Sequence, residues 1–178
     1  LFYQHAKVAL FIARRDEEIA TAHHLFTTTL HSLTDRAAMT LPEFQRLADQ
    51  VRPFLDPNLA LFAEAGGKPV GFCVAIPDIN RALIHLNGRL LPFGWLKLRY
   101  YMPRIDVVVF KSMGVLDSYR RRGIDALLYL QAVKAFFDGG YKWLDGSVTS
   151  ETNPKINLVA QRLGAERYKH YRLYRISL

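Results

Sequence analysis

Met113-Gly-Val-Leu-Asp-Ser-Tyr-Arg-Arg-Arg-Gly-Ile-Asp-Ala126 is the stretch on which the fold turns. Upstream of it, Ile105-Asp-Val-Val-Val-Phe110 is apolar and β-branched, the pattern of a central strand that runs on to Leu116. Downstream, Ile124, Leu127 and Leu128, then Val133, Phe136 and Phe137, recur near helical spacing, and Gly139-Gly140 stops the helix. A buried strand therefore ends in a loop of arginine and glycine that feeds a helix N-terminus. The first N–H groups of a helix have no partner within it, and the dipole adds about half a positive charge there. Gly123 lets the backbone approach a ligand with no Cβ in the way. Together these features predict an anion cradle of the size of a diphosphate. A solvated helix start is the plainer reading of Arg120, Arg121 and Arg122. Yet each arginine at a helix N-terminus costs roughly 0.3–1 kcal/mol, and an anion offsets that cost.

Working outward, Val8-Ala-Leu-Phe-Ile-Ala13 has the length of a buried strand, and Asp16, Glu17 and Glu18 suit the first turn of a helix reaching Leu33. Thr40, Leu41 and Pro42 open a second helix, with Thr40 as N-cap, that ends before Pro53. Two strands, 59–64 and 70–76, flank turn residues and form a hairpin. Residues 143–149 alternate as a strand, Asn153-Pro154 starts a helix that ends at Leu163-Gly164, and 167–176 reads as a last strand rich in Tyr and Arg. The expected order is β-α-α-β-β-insert-β-α-β-α-β. This is an α/β or α+β domain with a central mixed sheet flanked by helices.

The chain has 178 residues, half of them apolar and 22% charged, which suits one domain over 1–178 and excludes a disordered or coiled-coil chain. Its single cysteine, Cys73, excludes an internal disulfide and a Cys-based zinc site, and it reads as a core residue; no metal is expected. His23 and His24 read as helix surface. No apolar run approaches the ~18 residues that span a bilayer, and no signal peptide is visible, so a cytoplasmic protein is expected. The first residue is Leu1, which fits the C-terminal part of a longer chain. The net charge of +8 is one-sided: residues 1–88 carry 8 Lys+Arg against 9 Asp+Glu, and 89–178 carry 16 against 7. Such a field attracts a polyanion, whether nucleic acid, anionic lipid or a phosphorylated cofactor.

With this element order in place, Arg120-Arg-Arg-Gly-Ile124 resembles the pyrophosphate motif of the GNAT superfamily of acyl-CoA N-acyltransferases, with Asp125 where the family has Gly or Ala. The strand exit Val115-Leu-Asp-Ser-Tyr119, the block Glu151-Thr-Asn153 with Leu163-Gly-Ala165, and the hairpin also look like the family, so the similarity covers the chain from about Val8. Within the family this looks like a poorly characterised bacterial branch whose members are longer at the N-terminus. The resemblance implies transfer of an acetyl or other acyl group from acetyl-CoA or another acyl-CoA to an amine by direct attack. Met113, Gly114, Val115, Arg120, Arg121, Arg122, Gly123, Ile124, Asp125, Ala126 and Asn153 would contact the cofactor, Met113 to Val115 lending backbone N–H groups to the thioester oxygen. Asp125 is expected to point away from phosphate or to bond a neighbouring arginine. Asn153 has helix capping as its simpler role.

The family's usual proton-donating tyrosine falls at Ala160, which leaves Tyr129, Tyr168 and Tyr171 as substitutes, Tyr168 among the residues assigned to catalysis. A base for the amine is sought among Glu64, Asp106, Asp145 and Glu151, with Asp145 and Glu151 better placed. Residues 84–101 mix aromatic, aliphatic and basic side chains as membrane interfaces do, which suggests a lipid or peripheral membrane contact; packing as a lid over the core is the simpler role. Some relatives are linked to acylation of long-chain amino-alcohols, so lipid acyl transfer is an alternative. A catalytically degenerate CoA-binding domain is another. A basic nucleic-acid module is a third, disfavoured because Tyr168, Tyr171 and Tyr174 are three apart and alternate faces of a strand.

Overall fold

A computed structural model describes residues 6–10, 16–30, 39–89, 91–151, 153–172, 174 and 176. They fall into two compact units, Leu1–Asp145 and Gly146–Leu178. The first unit carries a five-stranded mixed sheet: β1 (Ala6–Leu10), β2 (Ala60–Ala65), β3 (Lys68–Pro77), β4 (Val107–Val115) and β5 (Trp143–Asp145), in that spatial order. The first three pairings are antiparallel, and β4–β5 is parallel. Helices α1 (Asp16–Leu30) and α2 (Leu41–Val51) precede β2; short helices α3 (Asn80–Leu83) and α4 (Gly94–Tyr101) fill the insert; α5 (Ile124–Asp138) makes the crossover to β5 that a parallel pair requires.

The hairpin forms because Gly66 and Gly67 both take positive φ, 60° and 75°, the two-residue turn whose twist suits antiparallel strands. One face of the sheet packs on α5, with Leu61, Val70 and Cys73 against Ile124 and Leu128. The other packs on α1, with Phe62 and Phe72 against Ala22 and Leu25. Leu25, Leu61 and Leu128 are essentially sealed from solvent, each burial contributing about 2 kcal/mol. Cys73 is buried in this core as expected, and the apolar surroundings push its thiol up to about 12.

The second helix starts as its sequence predicts. The Glu43 carboxylate accepts from the Thr40 backbone N–H at 2.8 Å and from the Thr40 hydroxyl at 2.7 Å. These bonds, led by the backbone one, hold the Glu43 carboxyl below its ordinary range. A lowered folded-state value means that the stabilisation is present at neutral pH and fades as pH falls through that value. Glu43→Ala should therefore destabilise the protein at neutral pH and converge with the parent in acid, as urea melts across pH would measure.

Several boundaries differ from expectation. β5 stops at Asp145 because Ser147 adopts φ 60°, which breaks an extended run to Thr149. His23 is not plain surface: its ring nitrogen lies 2.7 Å from the Met39 carbonyl oxygen, and the ring packs on Phe44. Residues 31–33 and 11–13, the expected ends of α1 and β1, lie outside the described residues. In the second unit, α6 (Pro154–Arg162) forms as read. The described residues of the expected last strand, 167–172, 174 and 176, are not in a strand.

Candidate active site

The loop between β4 and α5 is the candidate site, and its conformation follows from three local constraints. Leu116 N–H donates to the Val70 carbonyl, which carries the chain past the end of β3. A single 3-10 turn, Asp117–Tyr119, reverses it. Arg121 and Gly123 then take left-handed φ values of 59° and 78°. Among the described residues, the backbone N–H groups of Arg121, Arg122, Gly123, Ile124, Asp125 and Ala126 donate to no protein acceptor; the first helical bond is Leu127 N–H to the Gly123 carbonyl. Six consecutive free amides at the head of a 15-residue helix make a concave donor surface.

The three arginines are not equivalent. Arg120 Nε lies 2.9 Å from Asp117 Oδ1 and 3.3 Å from the Val115 carbonyl oxygen, so its charge is partly matched and it braces the loop. The Arg122 guanidinium sits 5.3 Å from the centre of the Tyr119 ring. Arg121 has no partner among the described residues. Asp125 is exposed and bonds no arginine; its charge acts on Tyr129 one turn along α5. Burial, with smaller help from Cys73 and Asp125, raises the Tyr129 hydroxyl above its ordinary value and keeps it protonated. Its ring stacks on Phe110 of β4, with centroids 6.3 Å apart.

β4 itself is paired unevenly. On one side β3 follows it from Val108 to Val115, with Met113 opposite Cys73, Gly114 opposite Phe72 and Val115 opposite Gly71. An extra residue at Lys111 bulges the strand where the register shifts between Val74 and Ala75. On the other side β5 follows only Val107 to Val109. β5 ends at Asp145, opposite Val109. On the helix side, Gly114 is pressed against α1: a Cβ built there would lie 2.0 Å from Thr29 Oγ1.

The other expected residues distribute as follows. Asp106 lies just before β4, at the end away from the loop, with Arg81 and Lys142 within 3.6 and 3.9 Å of its oxygens; Glu64 is on β2, two strands away. Asn153, Glu151 and Tyr168 belong to the second unit. Asn153 caps α6, its side-chain oxygen accepting from Ile156 N–H at 3.4 Å. Glu151 and Tyr168 are exposed, and the Lys169 ammonium lies 4.9 Å from the Tyr168 ring centre. Tyr171 is exposed too. Sequence reasoning missed the Thr29–Gly114 contact, and only a glycine late in a β-branched strand hinted at a close approach.

A mixed sheet with a parallel pair at one edge, joined by a crossover helix that an arginine-glycine loop heads, is the GNAT N-acyltransferase fold. The aminoglycoside N-acetyltransferase AAC(6')-Iy, solved in complex with CoA, superposes with a TM-score of 0.62 at 18% identity, covering 98% of this chain and 96% of that one. By sequence, the chain is 32% identical over 164 residues to Protein YghO of Escherichia coli and 30% identical over 178 residues to the bacterial ceramide synthase of Caulobacter vibrioides. These alignments cover 89% and 95% of this chain but 42% and 46% of those proteins, so the chain spans less than half the length of either. No protein-family model matches the chain.

Proposed function

We propose that the chain is an acyl-CoA-dependent N-acyltransferase. The observation that carries this reading is the run of six free amides between Arg121 and Ala126. Arg121 and Arg122 add charge to that run, and Gly123 keeps it open, a donor set that fits a diphosphate. Acyl-CoA, when bound, supplies an activated thioester. Met113 to Val115 would lend backbone N–H groups to its carbonyl oxygen as negative charge develops there. Amine nitrogen bonds to the carbonyl carbon, the carbon–sulfur bond breaks, and an amide and a free thiol result. Asp145, at the end of β5, or Glu151 would take the amine proton; Tyr129 or Tyr168 would return one to sulfur. Tyr129 has the stronger support, being beside β4 and held protonated. Asn153 is a further cofactor contact by the resemblance.

A long-chain acyl donor and a lipid amino-alcohol acceptor form a second reading. It is supported by the similarity to a protein named bacterial ceramide synthase and by the apolar insert. Thermal melts with CoA, acetyl-CoA and palmitoyl-CoA below its micellar concentration test both. Ligand at ~100-fold its Kd stabilises by about 2.7 kcal/mol. Comparable shifts with all three support the cradle, and a much larger one with palmitoyl-CoA supports the lipid reading. Arg122→Glu should abolish the shift; a shift that survives, or none in the parent, would overturn the assignment and send attention to nucleic acid.

A further inference from the structure

We infer that residues 79–104 form a docking face for an anionic lipid bilayer. The segment holds Arg81, Arg89, Lys97, Arg99 and Arg104 and no Asp or Glu. Rather than closing over the core, it turns large apolar side chains outward: Leu91 is 76% exposed, Ile84 72% and Phe93 67%, and Trp95, Leu96 and Tyr100 are also exposed. On α4 the inward positions are Gly94, Leu98 and Tyr101. At 100° per residue, the opposite side is centred on Leu96 and flanked by Trp95, Arg99 and Tyr100. The face is firmly mounted. His85 stacks on Tyr101 at 3.8 Å, Lys97 Nζ donates to the His85 carbonyl at 3.4 Å, and Gly94 packs so closely on the Arg89 carbonyl that no side chain fits.

Charge and shape select among occupants. A second copy would set five positive charges against five. A nucleic acid would use the arginines and aromatics but leave the aliphatic Ile84, Leu91 and Leu96 in water, since bases stack on rings. An anionic bilayer takes both sets: apolar side chains enter the boundary between headgroups and acyl chains, and the cations meet phosphate. The acids at the root of the segment do not oppose this. Asp78 and Asp106 share Arg81, and Lys142 also faces Asp106. No helix among the described residues is long and apolar enough to cross a membrane, so the contact is with the surface.

The test is co-sedimentation of the protein with phosphatidylcholine vesicles, with and without phosphatidylglycerol, and Trp95 emission read in a Trp143→Phe background. We expect binding to the phosphatidylglycerol vesicles alone, a blue shift of Trp95, and weakening by salt. Each basic residue near the surface is worth about fivefold in partition, so combined Arg89→Ala and Arg99→Ala should cost about twenty-five-fold. Leu91→Ser with Phe93→Ser should weaken binding at unchanged charge. The side chains of Leu91, Phe93, Arg89 and Arg99 are exposed and hold no contact that mounts the face, so thermal melts of the Leu91→Ser, Phe93→Ser variant should be unmoved. Absence of binding, as when another part of the chain or a second copy covers the face, overturns the inference. So does binding that both variants retain, or an unshifted Trp95. The acyl-CoA melts are read independently, so failure of either assignment leaves the other standing.

Discussion

Gly114→Ala is expected to lower the melting temperature by about 10 °C. The new methyl would lie 2.0 Å from Thr29 Oγ1, 2.6 Å from Thr29 Cβ and 2.9 Å from Phe72 Cε1. Thr29 is buried on α1, and its hydroxyl is committed to the Leu25 carbonyl at 2.7 Å. It cannot swing aside, so either α1 lifts from the sheet or β4 bends. Overpacking of this kind costs about 3 kcal/mol, which for a chain of this size corresponds to roughly 10 °C. Thr29→Ala removes the nearest atom and leaves the Cβ. The double variant should therefore recover part of the loss, a coupling that a double-mutant cycle would measure. A Gly114→Ala protein that melts with the parent would show that α1 and β4 do not touch there.

Gly123→Val should erase the stabilisation by CoA. Valine is strained at φ 78°, and relieving that strain would displace the free amides on either side of it. The parent should gain about 2.7 kcal/mol near ~100-fold the Kd, a rise of roughly 5–10 °C, and the variant nothing. Calorimetric titration separates the two effects of the substitution. Local strain alone would lower the apo melting temperature yet leave CoA affinity intact, and intact affinity would mean that the diphosphate binds elsewhere.

These two glycines show where the sequence was readable. Gly123 stands in a local pattern of strand, arginine run and helix, and the chemistry of unpaired amides needs nothing beyond that pattern. The same holds for the Gly66-Gly67 hairpin and for Thr40 with Glu43, where partners lie within three residues. Gly114 is different, because its reason is Thr29, 85 positions earlier, and no periodicity reports a contact across that gap. The Lys111 bulge was hidden likewise, since strand composition does not mark the extra residue. Arg121 in the left-handed region runs against propensity and became visible only with the loop. The density of Tyr and Arg in the tail suggested a strand from side chains alone, whereas a ladder also needs a neighbour. The insert gave no helical period because α4 mixes apolar and basic residues on its outer side.

The shortness of β5 has a consequence for the sheet. From Phe110 to Val115, β4 shows a sheet edge on the β5 side that no described strand covers. Bare edges recruit strands from other molecules and seed aggregates. Two features guard this one: the bulge, which twists the backbone out of register with any incoming strand, and the exposed ammonium of Lys111, which a joining chain would have to bury.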